Sequence, residues 1–272
     1  QSIEARAELA AEAGLEYAPW YRGTVPEKGK NPDLRMVWEN GVVQPLHAPL
    51  SPALWEHLRA SLTYFAKLSS RGQATAAFLD FENYAPNKQA NTYSVSYDRH
   101  ALRLFAEARG GEAPPKDLAP GEGPEWIEAQ GRKRAFEQWQ ESEFRRRLRE
   151  LRADLDAIDA GFVVGFYAAS GMLDGNLDAF ATEAAPVVLT SAYGYGRASQ
   201  LLDQRLNLLA DANAGRERMA ALRQRDMPFF LLSGILPGYR GADPEFNGKN
   251  LSYLAEVTDG VWVWDAGRGP TA

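Results

Sequence analysis

Ala74-Thr75-Ala76-Ala77-Phe78-Leu79-Asp80-Phe81-Glu82-Asn83-Tyr84 is a short apolar run that ends in two carboxylates. A run of this length reads as a buried β-strand over 74–81, with a polar loop from Tyr84 to Thr92 beyond it. Asp80 and Glu82 are two positions apart, so on a strand their side chains share one face. In α/β folds the chemistry gathers at the C-terminal ends of the strands, which is where this pair stands.

Outward from this stretch the same pattern recurs: a short apolar run, a loop rich in Gly, Pro or aromatics, then a helical stretch. Upstream, a helix over Ser2–Ala13 ends at Gly14, and Leu15–Tyr21 reads as a strand. Asn40-Gly41 is a hairpin turn between Met36–Glu39 and Val42–Gln44. Ser51 and Pro52 open a helix through Leu68, with Ser51 as N-cap. Downstream, Tyr97–Ala108 is helical, Gly110–Pro124 is a Gly/Pro-rich excursion, and Glu125–Ala157 is one long charged helical pattern. Its arginines (Arg145, Arg146, Arg147, Arg149, Arg152) alternate with acids and read as a solvated face. Strands follow at Phe162–Ala168, Val187–Ala192, Phe229–Ser233 and Val261–Trp264. Helices around Ala198–Leu209, Arg216–Arg225 and Leu251–Val257 lie between the later ones.

Alternating β and α units predict a parallel sheet covered by helices. The expectation is a (β/α)₈ TIM barrel over 1–272, with a surface insertion around 85–124 and its first strands upstream of Gln1. The alternative is a doubly wound open sheet, against which no Gly-rich phosphate fingerprint follows any strand. Gln1 is not an initiator Met; the start reads as processed or trimmed, so a leader could have been lost, and the compartment is left open, with a secreted or periplasmic one among the options.

The formal net charge of −6 repels phosphate backbones, so no nucleic-acid partner is expected. No apolar run is long enough to cross a membrane. The chain has no Cys, which excludes disulfides and thiolate chemistry. His47, His57 and His100 are the only histidines, and the latter two fall within helices. That leaves little basis for a metal site, a cofactor ligand or a Ser-His-Asp triad. His47 follows the hairpin, where a structural role and a subsite role are both open.

Two carboxylates held together at a strand end repel when both are ionised, which favours keeping one proton. Glycoside hydrolysis needs such a donor beside a second carboxylate. The plainer alternative is that Asp80 and Glu82 cap a turn or bind an arginine. The other strand ends carry Trp20, Tyr167, Tyr193, Tyr195, Arg197, Tyr239, Trp262, Trp264 and Asp265, and Tyr84 follows the carboxylate pair. Aromatics of this kind stack on sugar rings, or simply fill the core. By alternation Trp262 and Trp264 share one face of their strand, and Asp265 falls with the valines on the other.

The run Ala77–Tyr84 resembles the end of the fourth barrel strand of chitinase-like family 18 glycoside hydrolases, with its D-x-E and following aromatic. Val188–Tyr193 is similar to that family's sixth strand and Gly260–Asp265 to its eighth. The resemblance implies Glu82 as general acid, Asp80 as its tuning partner, Tyr193 near the reacting centre and a Trp beneath the sugar. It also makes Leu15–Tyr21 the third strand. Thr75 and Phe78 stand where that family has two further Asp residues, so the expectation is the wider group of barrel glycosidases rather than a chitinase, with Asp265 available as a second carboxylate. The runner-up is a barrel that binds carbohydrate without cleaving it; a lyase or metal-dependent hydrolase is weaker still.

Overall fold

The computed structural model describes residues 2–29, 31–83, 93–167, 171–194, 204–235 and 244–263. They fall into two compact units, Gln1–Val164 with Ala168–Phe180, and Gly165–Tyr167 with Ala181–Ala272. The class is α/β: strands paired mainly in parallel and joined by helices, with one antiparallel hairpin. Among the described residues neither unit closes a barrel by itself.

In the first unit, α1 (Ile3–Glu12) starts at Ser2, whose hydroxyl accepts from Ala5 N at 3.2 Å. It gives way at Gly14, whose φ of +68° is a left-handed turn that glycine adopts without strain. The first strand, β1 (Trp20–Arg22), is shorter than expected, although Thr75 and Phe78 already donate to the carbonyls of Tyr17 and Pro19. β2 (Arg35–Val37) and β3 (Val43–His47) form the expected antiparallel hairpin. Gly41 at its tip has φ +76°, and a Cβ there would stand 2.7 Å from the Gly121 carbonyl oxygen. The tip thus needs glycine twice over, for its conformation and for its close approach.

α2 (Pro52–Ser69) begins after Ser51 as expected, but Ser51 does not cap it through its side chain. The hydroxyl instead bonds to Nδ1 of His47 at 2.8 Å. Leu54, Leu58, Leu62 and Phe65 of α2 form a buried stripe, recurring every three or four residues. β4 (Ala76–Asp80) pairs parallel with β1 and is buried on both faces except at Phe78, as a strand covered on both sides must be.

α3 (Arg99–Arg109) is capped by Asp98, whose Oδ1 accepts from Ala101 N at 2.9 Å. Burial pushes this carboxyl up to about 7, against the opposing pull of that backbone hydrogen bond. The folded chain then holds a proton that the unfolded chain releases near 3.8. Stability from this group is therefore complete below about pH 4 and lost as pH rises through about 7. Asp98→Asn keeps a capping acceptor without the charge. Its melting temperature is expected to exceed the wild type's by a margin that grows from pH 4 to pH 7; a margin independent of pH would refute this assignment.

The long charged pattern is two helices, not one. α4 (Gly123–Ala129) and α5 (Lys133–Asp156) are separated at Gly131, whose φ is +65°. The arginines of α5 are also not a uniformly solvated face. Arg146 is exposed and pairs with Glu143 and Glu150, but Arg145 pairs with Asp178 and Arg147 donates to the Leu50 carbonyl. Arg152 is buried, donates to Phe162 O at 2.8 Å and stacks over Phe180. Neighbouring sequence makes a charged helix look solvated; tertiary partners pull three of its cations inward.

In the second unit, Gly165–Tyr167 of β5 (Val163–Tyr167), β6 (Val187–Gly194), β7 (Phe229–Ile235) and β8 (Gly260–Val263) pair in that order, all in parallel. Before β6 come a short helix, α6 (Gly171–Gly175), and a 3-10 turn at Leu177–Ala179, both of which belong to the first unit. α7 (Gln204–Arg223) is one helix where two were expected, and α8 (Pro244–Val257) begins earlier than expected. Leu189, Leu231, Leu222 and Leu254 are buried in this unit.

Candidate functional site

Asp80 is the last residue of β4, and the register sets it directly opposite Arg22, the last residue of β1. Two parallel strands that end together bring a cation and an anion side by side. Arg22 Nη1 donates to Asp80 Oδ2 at 3.0 Å, its Nη2 to the Glu82 carbonyl at 2.5 Å, and its Nε to Thr24 Oγ1 at 2.9 Å. The second oxygen of Asp80, Oδ1, accepts from Glu82 N at 2.9 Å. Asp80 is buried, so both oxygens being met by donors is what its charge requires.

The two carboxylates thus take different parts. The charge facing Asp80 is a guanidinium, and Asp80 both binds an arginine and closes the turn that follows it. Glu82 lies past the end of the strand, half-buried, on a backbone gripped at its N–H by Asp80 and at its carbonyl by Arg22. Strand alternation, used in the sequence to put both on one face, no longer governs Glu82.

The hairpin braces this turn. The Asn83 carbonyl accepts from Gln44 Nε2, and Gln44 Oε1 in turn accepts from Trp38 Nε1 at 3.1 Å. Phe81 packs edge-on against buried Tyr93, ring centroids 6.0 Å apart. A Cβ at Gly23 would stand 3.0 Å from the Phe81 ring, so glycine lets β1's exit pass close to the site. Tyr93 donates to the His47 carbonyl at 2.9 Å, and burial pushes its phenol well above the usual range. Burial pushes the His47 imidazole down, opposed by the charge of Glu27. Glu27 is itself buried and orders its loop by accepting from Gly29 N, Asn31 N and Arg35 Nε.

The first unit also holds Trp20, half-buried and stacked on Phe78 at 5.8 Å. The second unit brings together Tyr167 and Trp262, edge to face at 5.4 Å. Trp262 Nε1 donates to Ser191 O at 3.0 Å, and a Cβ at Gly234 would fall 2.5 Å from the indole. Glycine at 234 is therefore what lets the indole lie across β7. Tyr193 is on β6, and its side chain lies outside the described residues, as do Tyr84, Tyr195, Arg197, Tyr239, Trp264 and Asp265.

Arg22, Thr24, Gln44, Asn83 and Tyr93 were not singled out from sequence. Arg22 had a usable signal, a cation at a strand's C-terminal end; Gln44 and Tyr93 had none. Among the described residues no group of three or more acidic or His side chains is placed to hold a metal ion. No described helix is long and apolar enough to cross a membrane. Compared with known proteins, the chain matches no family model and no curated protein.

Proposed function

We propose that the chain is a glycoside hydrolase built on a (β/α) barrel, with Glu82 as the general acid/base and Asp80 as the residue that holds it. The observation that carries this reading is the Arg22–Asp80–Glu82 arrangement at the C-terminal ends of two parallel strands. Asp80 makes contacts through both oxygens, and those contacts together with Arg22 hold the backbone that carries Glu82 at its N–H and at its carbonyl. Rigid presentation of a proton donor is what cleavage of a glycosidic bond asks of a protein. The donor protonates the leaving oxygen while a second carboxylate either attacks the sugar or activates water.

The test is reducing-sugar release by the wild-type chain across a broad panel of polysaccharides. Cleavage of one glycan establishes the activity and names the substrate. No cleavage, with one glycan retarding the chain in affinity electrophoresis, would make it a carbohydrate-binding protein instead.

A further inference from the structure

A concavity of about 330 Å³ opens in the first unit, beside the loop that Glu27 orders. Its wall comes from the excursion that leaves β1 (Asn31, Asp33), from α3 (Arg99, His100, Arg103) and from the segment that follows α3 (Lys116). Three cations there face a single carboxylate, in a chain whose net charge is −6. A surplus of positive charge in a concave wall is the reverse of what the average surface of this chain would place there.

That single carboxylate is already answered. Asp33 Oδ2 accepts from Arg99 Nη2 at 2.5 Å, and Arg99 Nη1 donates to the Lys116 carbonyl. These contacts fix the guanidinium and fasten the Lys116 segment to the start of α3. Arg103 stands one helical turn on. Its pair with Glu107 is 3.6 Å long and exposed on both sides, a geometry worth little in water. Burial, and then the Arg103 cation, push the His100 imidazole down, and Arg103 Nη2 lies 3.3 Å from its Nδ1.

We propose that this concavity binds a small ligand through an oxyanion group, a carboxylate or a phosphate, on a body the size of one sugar. Guanidinium forks match such groups in shape as well as charge. The volume lies at the lower end of small-molecule sites, about 300–1,000 Å³, which admits one ring rather than a polymer. The inference goes beyond the hydrolase reading and does not depend on it.

The experiment is isothermal titration calorimetry of the full chain at low salt with glucuronate, glucose 6-phosphate and glucose. A double variant, Arg103→Ala with Lys116→Ala, is titrated in parallel. Both side chains are exposed, so the variant is expected to fold, and its melting curve checks this. Binding of either acid but not of glucose, weakened roughly tenfold or more in the variant, is the expected result. Which acid binds distinguishes a carboxylate from a phosphate ligand. No heat with either acid, equal binding of glucose, or equal affinity in the double variant would each overturn the assignment. None of these readouts involves glycoside cleavage, so failure here and failure of the hydrolase reading are told apart.

Discussion

Glu82→Gln lowers the rate of glycoside cleavage by about 10²–10⁴-fold, the usual worth of a positioned general acid. The substitution is nearly isosteric and replaces the ionisable carboxyl with an amide that cannot donate a proton as an acid. The backbone contacts that hold position 82 run through its N–H and carbonyl and do not need its side chain. Melting temperature and affinity for the glycan are therefore expected to stay close to wild type while turnover collapses. Asp80→Asn should behave differently. It weakens the ion pair with Arg22 and loosens the turn, so stability and turnover fall together. If Glu82→Gln retains full turnover on a glycan that the wild type cleaves, Glu82 is not the acid. Parallel loss of stability in both variants would instead make the pair a structural brace.

Gln140→Leu lowers the stability of the first unit by about 2–5 kcal/mol, because it strands two buried backbone groups at once. Gln140 lies on α5 with no exposure, and its amide grips Ser96 at both ends. Its Oε1 accepts from Ser96 N at 2.7 Å, and its Nε2 donates to Ser96 O at 2.8 Å. Ser96 is equally buried, so after substitution neither group has water to turn to. Ser96 Oγ also accepts from Val37 N at 3.0 Å, which links α5 through Ser96 to the hairpin that braces Asn83. Gln140→Glu is the discriminating control. A carboxylate still accepts from the N–H but at neutral pH sets its charge against the carbonyl, so the loss persists at pH 7 and shrinks in acid as the group gains a donor proton. Urea unfolding at both pH values checks this; a Gln140→Leu chain as stable as the wild type would refute it.

Much of the fold was readable in the sequence because its signals are local. The strand around Leu79, the hairpin at Asn40-Gly41, the helix after Ser51-Pro52 and the stop at Gly14 each rest on a few adjacent residues. The misses have local causes too. Gly131 is a local stop signal inside the charged stretch, but a charge pattern that runs on past it reads as one helix, and the break shows only in its φ of +65°. Ser51 has the identity of a cap, but the side chain of His47, four residues away, competes for its hydroxyl.

The candidate site was readable only as an inventory. Asp80 and Glu82 stand out from their position at the end of an apolar run, and that needs no partner to see. Which of the two is held and which is presented depends on Arg22, 58 residues earlier and brought opposite Asp80 by strand register. Register is set by packing on both faces of a sheet, and no local pattern in β1 announces it. The same holds for Gln140, one polar residue in a charged helix until Ser96 is folded against it. Residue identity and local pattern settle the elements and the chemical groups on offer. Pairing across long separations settles which groups are neutralised, buried or left to act, because burial and charge compensation belong to neighbours in space rather than along the chain.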